Sequence, residues 1–217
     1  MDRRTMIVAG AAVVAAGGAG AWYATRPGDT APGETVRLLS VPNEFGIEEM
    51  TLGDPEAPIE MIEYASFTCP HCARFHSDAF KQIKANYIDT GKVHFGYREV
   101  FFDRPGLWAS LMARCGGPER FFSISDLIYE KQREWLASGD PALIAEELEK
   151  LGKVAGLDQE TVDACMANGD LAQNLNAWYR SNADRDGIRA TPSFMIDGEL
   201  VSNMSYAQFA SFLDAKL

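Results

Sequence analysis

Hydrophobic and polar positions change period several times along the chain, and each change marks an element. Residues 59–65 (IEMIEYA) mix apolar and polar side chains over a strand's length, as in a strand of mixed burial. After Ser66, Phe67 and Thr68 a helical period takes over. Phe75, Ala79, Phe80, Ile83 and Tyr87 share one helical face, so a helix opening at Cys69-Pro70-His71-Cys72 is predicted to run to about Tyr87. Alternation marks 93–100 (VHFGYREV), a second strand. Ahead of both, 48–52 reads as a short edge strand closed by the turn Gly53-Asp54-Pro55.

From Pro105 to about Asp186 nothing reads as a strand. Helical segments there are separated by Gly116-Gly117-Pro118, Ser138-Gly139-Asp140-Pro141, Gly156-Leu157-Asp158 and Asn168-Gly169-Asp170. Two short apolar runs, 193–196 and 199–201, then flank Asp197-Gly198, a hairpin signal. A last amphipathic helix covers about 206–215. The order is β-β-α-β, a long helical block, then β-β-α. The first strand-helix-strand unit implies a right-handed crossover between parallel strands. Because the helical block interrupts one sheet-building unit, the predicted class is α/β with an inserted all-helical domain at 105–186. The sheet is assigned to 48–104 and 187–217.

The N-terminus does not belong to that fold. Arg3 and Arg4 precede an apolar run of small residues, 6–24, so 1–25 reads as an export signal, with Ala19-Gly20-Ala21 as a candidate cleavage site. The paired arginines suit a twin-arginine signal, although Asp2 stands where that pattern has Ser or Thr. An uncleaved membrane anchor is the alternative, since the run nearly reaches the ~20 residues of a span. Either way, the remainder of the chain is delivered outside the cytoplasm, to the periplasm or cell envelope. Residues 26–47 begin Pro/Gly/Thr-rich and are assigned as a linker.

Composition narrows the partners. With 20 Lys and Arg against 31 Asp and Glu in 217 residues, the net charge is −11. Such a surface repels phosphate backbones, which argues against nucleic acid. Hydrophobic residues at 47% and charged residues at 24% fit an ordinary globular chain rather than a disordered one. Four cysteines suit one working pair and one structural pair.

The working pair is Cys69 and Cys72. A helix N-terminus carries unpaired N–H groups and a partial positive charge, which stabilise a thiolate in its first turn. Pro70 has no N–H to lose there. Cys69 is then the exposed nucleophile and Cys72, one turn in, the resolving thiol. His71 is placed to offer Cys69 a hydrogen bond or positive charge. A depressed thiol pKa stabilises the reduced form and makes the disulfide a strong oxidant. The competing reading is a zinc knuckle using both cysteines with His71 and His76. It lacks the second ligand pair that structural zinc usually needs, so no metal is expected.

The stretches 67–75 (FTCPHCARF) and 187–198 (GIRATPSFMIDG), with the helical block between them, resemble the DsbA-type thiol:disulfide oxidoreductases of the bacterial cell envelope. That resemblance, covering about 58–217, implies a thioredoxin-like fold with a helical insertion. It implies donation of a disulfide to reduced exported proteins and reoxidation by a quinone-linked membrane partner of DsbB type. No cofactor is implied beyond the Cys69–Cys72 disulfide. Glu63 matches the family's buried acid and would handle protons beneath Cys72; otherwise it is an edge carboxylate. Thr191-Pro192 matches the family's cis-proline loop, which would turn the Thr191 backbone toward a substrate strand and its hydroxyl toward the Cys69 thiolate.

Cys115 and Cys165 both lie in the helical block and are expected to bridge in an oxidising compartment. A similar pair occurs in some alphaproteobacterial-type members of the family. Trp108, Trp135, Trp178 and His94 read as structural, while Phe67, Phe101 and Phe102 read equally as core or as a groove beside the dithiol. The leading functional reading is a monomeric dithiol oxidase, because the short Pro/Gly-rich stretch before the first strand leaves little room for a dimerisation region. The alternatives are an isomerase or reductase, and a non-catalytic chaperone-like binding protein.

Overall fold

The computed structural model describes residues 42–217; the export-signal or anchor segment 1–25 and linker residues 26–41 lie outside them. The described end of the linker is packed. Ile47 is buried against Leu111, Leu175 and Trp178.

Five strands form one sheet in the order β1-β3-β2-β4-β5. They are β1 (Met50–Leu52), β2 (Ile59–Ala65), β3 (Val93–Glu99), β4 (Ser193–Ile196) and β5 (Glu199–Ser202). Only β2 and β3 run parallel; the other neighbours are antiparallel, with β1 at one edge. The mixed burial predicted for β2 is replaced by burial on both faces, because β2 is the central strand. Its alternation therefore serves two cores. Ile59, Met61 and Ala65 join the main cluster with Phe95, Phe194 and Ile196, while Ile62 and Tyr64 pack with Val100, Ala183 and Ile188. Glu63 shares the side of Met61 and Ala65, a position whose period calls for an apolar residue. In the β4–β5 turn Asp197 and Gly198 both have positive φ, 48° and 78°, the conformation that an Asp-Gly hairpin needs.

The helix after β2 departs from expectation. It is divided at Asp78 (φ −131°, ψ −82°) into α1 (Pro70–Ser77) and α2 (Ala79–Ile83), and a π-helical turn, Lys84–Ile88, closes it. All five residues of the predicted stripe are nevertheless buried. The break allows each half to pack on a different partner: Phe75 on Phe194 and Phe209, Phe80 on Phe95.

The inserted block comprises α3 (Arg104–Arg114), α4 (Pro118–Glu130), α5 (Gln132–Trp135), α6 (Pro141–Val154), α7 (Gln159–Met166) and α8 (Gly169–Arg185). Its starts coincide with capping residues. Asp103, Asp140, Asp158 and Asn168 each accept from backbone N–H groups of the next turn, and Pro118 and Pro141 occupy first turns. The last helix, α9 (Tyr206–Asp214), begins with a complete Ser205–Gln208 capping box. Between sheet and insertion lies a buried ionic network. Arg98 of β3 bonds Glu49, reaches Asp186 just after α8 at 3.4 Å, and donates to the Tyr64 hydroxyl at 2.9 Å. The sheet with its helical insertion is the thioredoxin-like arrangement that the sequence resemblance implies.

Candidate active site

Cys69 sits at the N-cap of α1, in extended conformation (φ −80°, ψ 119°), and Pro70 opens the helix. Cys72 follows one turn in. Both are free thiols and both are buried, so Cys69 is less exposed than the sequence reading expects: it keeps 9% exposure, because it packs into the main core, while Cys72 is fully enclosed. Their environments drive their acidities apart. A hydrogen bond from the Cys72 thiol is the strongest influence on Cys69, which is held down to about 5. Burial opposes this, while the Thr191 hydroxyl and the N–H groups of Cys72 and His71 support the thiolate. For Cys72 burial dominates. Its donated hydrogen bond and the negative charge of Glu63 push its thiol further up, so it stays protonated.

Two expectations about these neighbours need refinement. The His71 ring accepts from Arg74 at 2.6 Å on the exposed side of the helix, and it is the His71 backbone N–H that supports the Cys69 sulfur. Thr191 contributes twice. The Cys69 thiol donates to its carbonyl oxygen at 3.4 Å, and its buried hydroxyl, which has no other hydrogen-bond partner, supports the ionised form. The Thr191–Pro192 peptide bond is cis. The imidazoles of the zinc-knuckle reading have separate partners: Arg74 for His71 and Glu63 for His76. Among the described residues no group of three or more His, Cys, Asp or Glu could hold a metal ion.

Glu63 is completely buried. Its Oε2 accepts from His76 Nε2 at 2.9 Å, while Oε1 has no partner. The residue thus lies in the core rather than at a sheet edge, and its charge acts on Cys72, His76, Tyr97 and Tyr129. His76 itself was legible only as a candidate metal ligand. Burial by itself would hold its imidazolium below the ordinary value, but Glu63 and Asp126 outweigh it and raise His76 to about 9.

A further residue that sequence patterns do not reveal is Gln132, in the four-residue helix α5. Its side-chain amide donates to the carbonyls of Phe67 and Cys69 at 2.7 and 2.9 Å. Nothing in the local sequence marks it, since both acceptors lie more than 60 residues away. Phe67 is core, stacked against Tyr97 and Tyr129, whereas Phe102 is 59% exposed. Cys115, following α3, and Cys165, in α7, are joined by a disulfide spanning 50 positions. That bridge belongs to the helical block and is separate from the dithiol.

The chain is similar to known proteins in sequence and in fold. A thioredoxin family model matches residues 46–215. A Rickettsia bellii chain named as a protein-disulfide oxidoreductase is 31% identical over 180 residues, 82% of this chain and 68% of its own length. Disulfide bond formation protein D of Bacillus subtilis is 27% identical over 166 residues, covering 71% of this chain and 70% of that one. The chain thus spans about two thirds of the length of these relatives. Among solved structures, alpha-DsbA1 of Wolbachia pipientis superposes with a TM-score of 0.71 at 28% identity, covering 82% of this chain and 92% of that one. The chain therefore belongs to the thioredoxin family and, within it, to the DsbA-like protein-disulfide oxidoreductases.

Proposed function

We propose that the chain is an exported dithiol oxidase whose redox centre is the Cys69-Pro70-His71-Cys72 pair. A substrate thiolate attacks Cys69 Sγ of the oxidised centre, and Cys72 leaves. The second substrate thiolate then attacks the substrate sulfur of the mixed disulfide and releases Cys69 as a thiolate. Two substrate thiols become one disulfide, and their two electrons remain on the Cys69 and Cys72 sulfurs. The observation that carries this direction is the separation of acidities: Cys69, held to about 5, is a good leaving group and a stable thiolate, which favours the reduced centre. The Thr191 carbonyl, 3.4 Å from Cys69, is the backbone group beside which a substrate strand would pair.

The compartment and the partners are read from the sequence. An export signal at 1–25 would deliver the chain to the periplasm or cell envelope, where newly exported reduced proteins are the substrates. A quinone-linked membrane partner of DsbB type would reoxidise the centre. Among the described residues no helix is long and apolar enough to cross a membrane.

The test is oxidation of a reduced, unfolded two-cysteine protein. The wild type should oxidise it, Cys69→Ser should be inactive, and Cys72→Ser should accumulate mixed disulfides with the substrate. The reduction potential against glutathione separates the alternatives: a value near about −120 mV supports an oxidase, one near about −270 mV a reductant of thioredoxin type. Undiminished turnover in both serine variants would overturn the assignment of roles.

A further inference from the structure

If the centre is a dithiol oxidase, as proposed above, the buried Cys72 needs a route by which to exchange a proton. When a substrate thiolate attacks Cys69 Sγ, the Cys69–Cys72 bond breaks, a substrate–Cys69 bond forms, and the electron pair departs on Cys72 Sγ. That sulfur is fully buried beside the negative charge of Glu63, so it must take up a proton as it leaves. Glu63 is equally enclosed and cannot draw on solvent directly.

The imidazole of His76 bridges this gap. On one side Nε2 meets Glu63 Oε2 at 2.9 Å; on the other Nδ1, buried and without a hydrogen-bond partner, lies 3.9 Å from Asp126 Oδ1. Asp126 is 55% exposed, and both it and His76 line a surface cavity of about 550 Å³ that also borders Pro70 and Gln132. The ring is held in place by Tyr129, stacked at 4.3 Å, and by Phe80 at 4.6 Å. We propose that His76 is a positioning residue that passes protons between the solvent-facing Asp126 and the buried Glu63 carboxylate, so that Cys72 can leave as a neutral thiol and give up that proton again when the disulfide re-forms.

In the forward half-reaction His76 gives its proton through Glu63 to the departing Cys72 thiolate. The neutral imidazole is then reprotonated from the cavity through Asp126. On reoxidation the same proton returns the other way. The titratable groups that face the ring are Glu63 from β2, Tyr97 from β3, and Asp126 and Tyr129 from α4. The two tyrosines are hydrogen-bonded to each other at 2.7 Å and are pushed well above their ordinary value by burial, so neither titrates in the range concerned. His76, raised to about 9 against the pull of burial by Glu63 and Asp126, is a charged donor at neutral pH.

The experiment measures the rate at which the oxidised protein, with its Cys115–Cys165 bridge intact, oxidises a synthetic dithiol peptide between pH 6 and 10. Rates are divided by the peptide's thiolate fraction. For the wild type the corrected rate should be level to about pH 8 and fall through about 9. His76→Gln should be slower at pH 7 by about tenfold, less than the ~10²–10⁴ of a donor in direct contact, and should lack that fall. Asp126→Asn removes both the solvent-side carrier and one of the carboxylates that hold the imidazolium, so it should slow the reaction at pH 7 and move the fall to lower pH. A level wild-type profile, or a His76→Gln profile identical to wild type, overturns the relay. If thermal melting shows His76→Gln to be unfolded, Asp126→Asn decides alone, and an unmoved fall overturns it. A wild type that leaves the peptide reduced refutes the oxidase reading itself, and the relay with it.

Discussion

The Gln132 amide joins the helical insertion to the dithiol by donating to the Cys69 carbonyl at 2.9 Å while it also donates to that of Phe67 at 2.7 Å. One side chain therefore fixes the loop before the nucleophile from an element that is distant in sequence. Replacing it by alanine leaves two buried carbonyl oxygens without this donor. Gln132→Ala should cost about 1–3 kcal/mol of stability and slow disulfide exchange, because Cys69 loses its fixed approach. A melting curve and a rate on the same preparation check it. Unchanged values in both would show that the contact contributes nothing.

The acidity of Cys69 has a direct readout. Its alkylation by iodoacetamide follows the thiolate, so the rate should rise with pH through a midpoint near 5 rather than near the ~8.5 of a free cysteine. Thr191→Val removes the supporting hydroxyl and keeps the carbonyl, and should shift the midpoint upward. A Thr191→Val midpoint equal to that of wild type would exclude the hydroxyl as a contributor.

Redox state should set stability in an unusual direction. Disulfides ordinarily stabilise the folded chain by restricting the unfolded one. Here the folded Cys69 pKa lies below the unfolded value. Its contribution to the reduced form is therefore complete above about 8.5, partly retained at pH 7, and lost as pH falls through about 5. Cys72 stays protonated at pH 7 in both the folded and the unfolded chain. His76 works the opposite way: its folded value of about 9 exceeds ~6.5, so its contribution is complete below that and is lost as pH rises through about 9. It is present in both redox forms and largely cancels in their difference. At pH 7 the reduced protein should melt above the oxidised one, and the gap should close toward pH 5. An oxidised form that melts higher at pH 7 would contradict the proposed direction of electron flow.

The second cysteine pair should behave as structure alone. A Cys115→Ala, Cys165→Ala variant opens a loop of 50 residues, which on the chain-entropy account costs about 4 kcal/mol. The alkylation midpoint of Cys69 should stay where it is. Denaturant unfolding and iodoacetamide kinetics separate the two effects, and a moved midpoint would mean that the bridge reaches the redox centre.

Features legible in the sequence share a local origin. Asp103, Asp140, Asp158 and Asn168 stop and start helices because each oxygen meets N–H groups two or three residues ahead, so the boundary and its cause lie within one turn. Asp197-Gly198 specifies its hairpin in the same way, and Cys69 gains its helix N-terminus from the adjacent Pro70. The division at Asp78 was not legible, because the apolar stripe is continuous across it and only the separate packing partners of Phe75 and Phe80 distinguish the halves. Glu63 could be identified as an acid in an apolar strand, yet its burial depends on β2 being central, which is a property of the whole sheet. His76 became Glu63's partner, the His71 ring turned to Arg74, and Gln132 reached Cys69 only once helices had been laid on strands. Backbone conformation is set by neighbours along the chain, so the sequence by itself determined the elements and the dithiol. Side-chain partnership depends on which elements pack together, so only the tertiary structure decided the proton-bearing groups around Cys72.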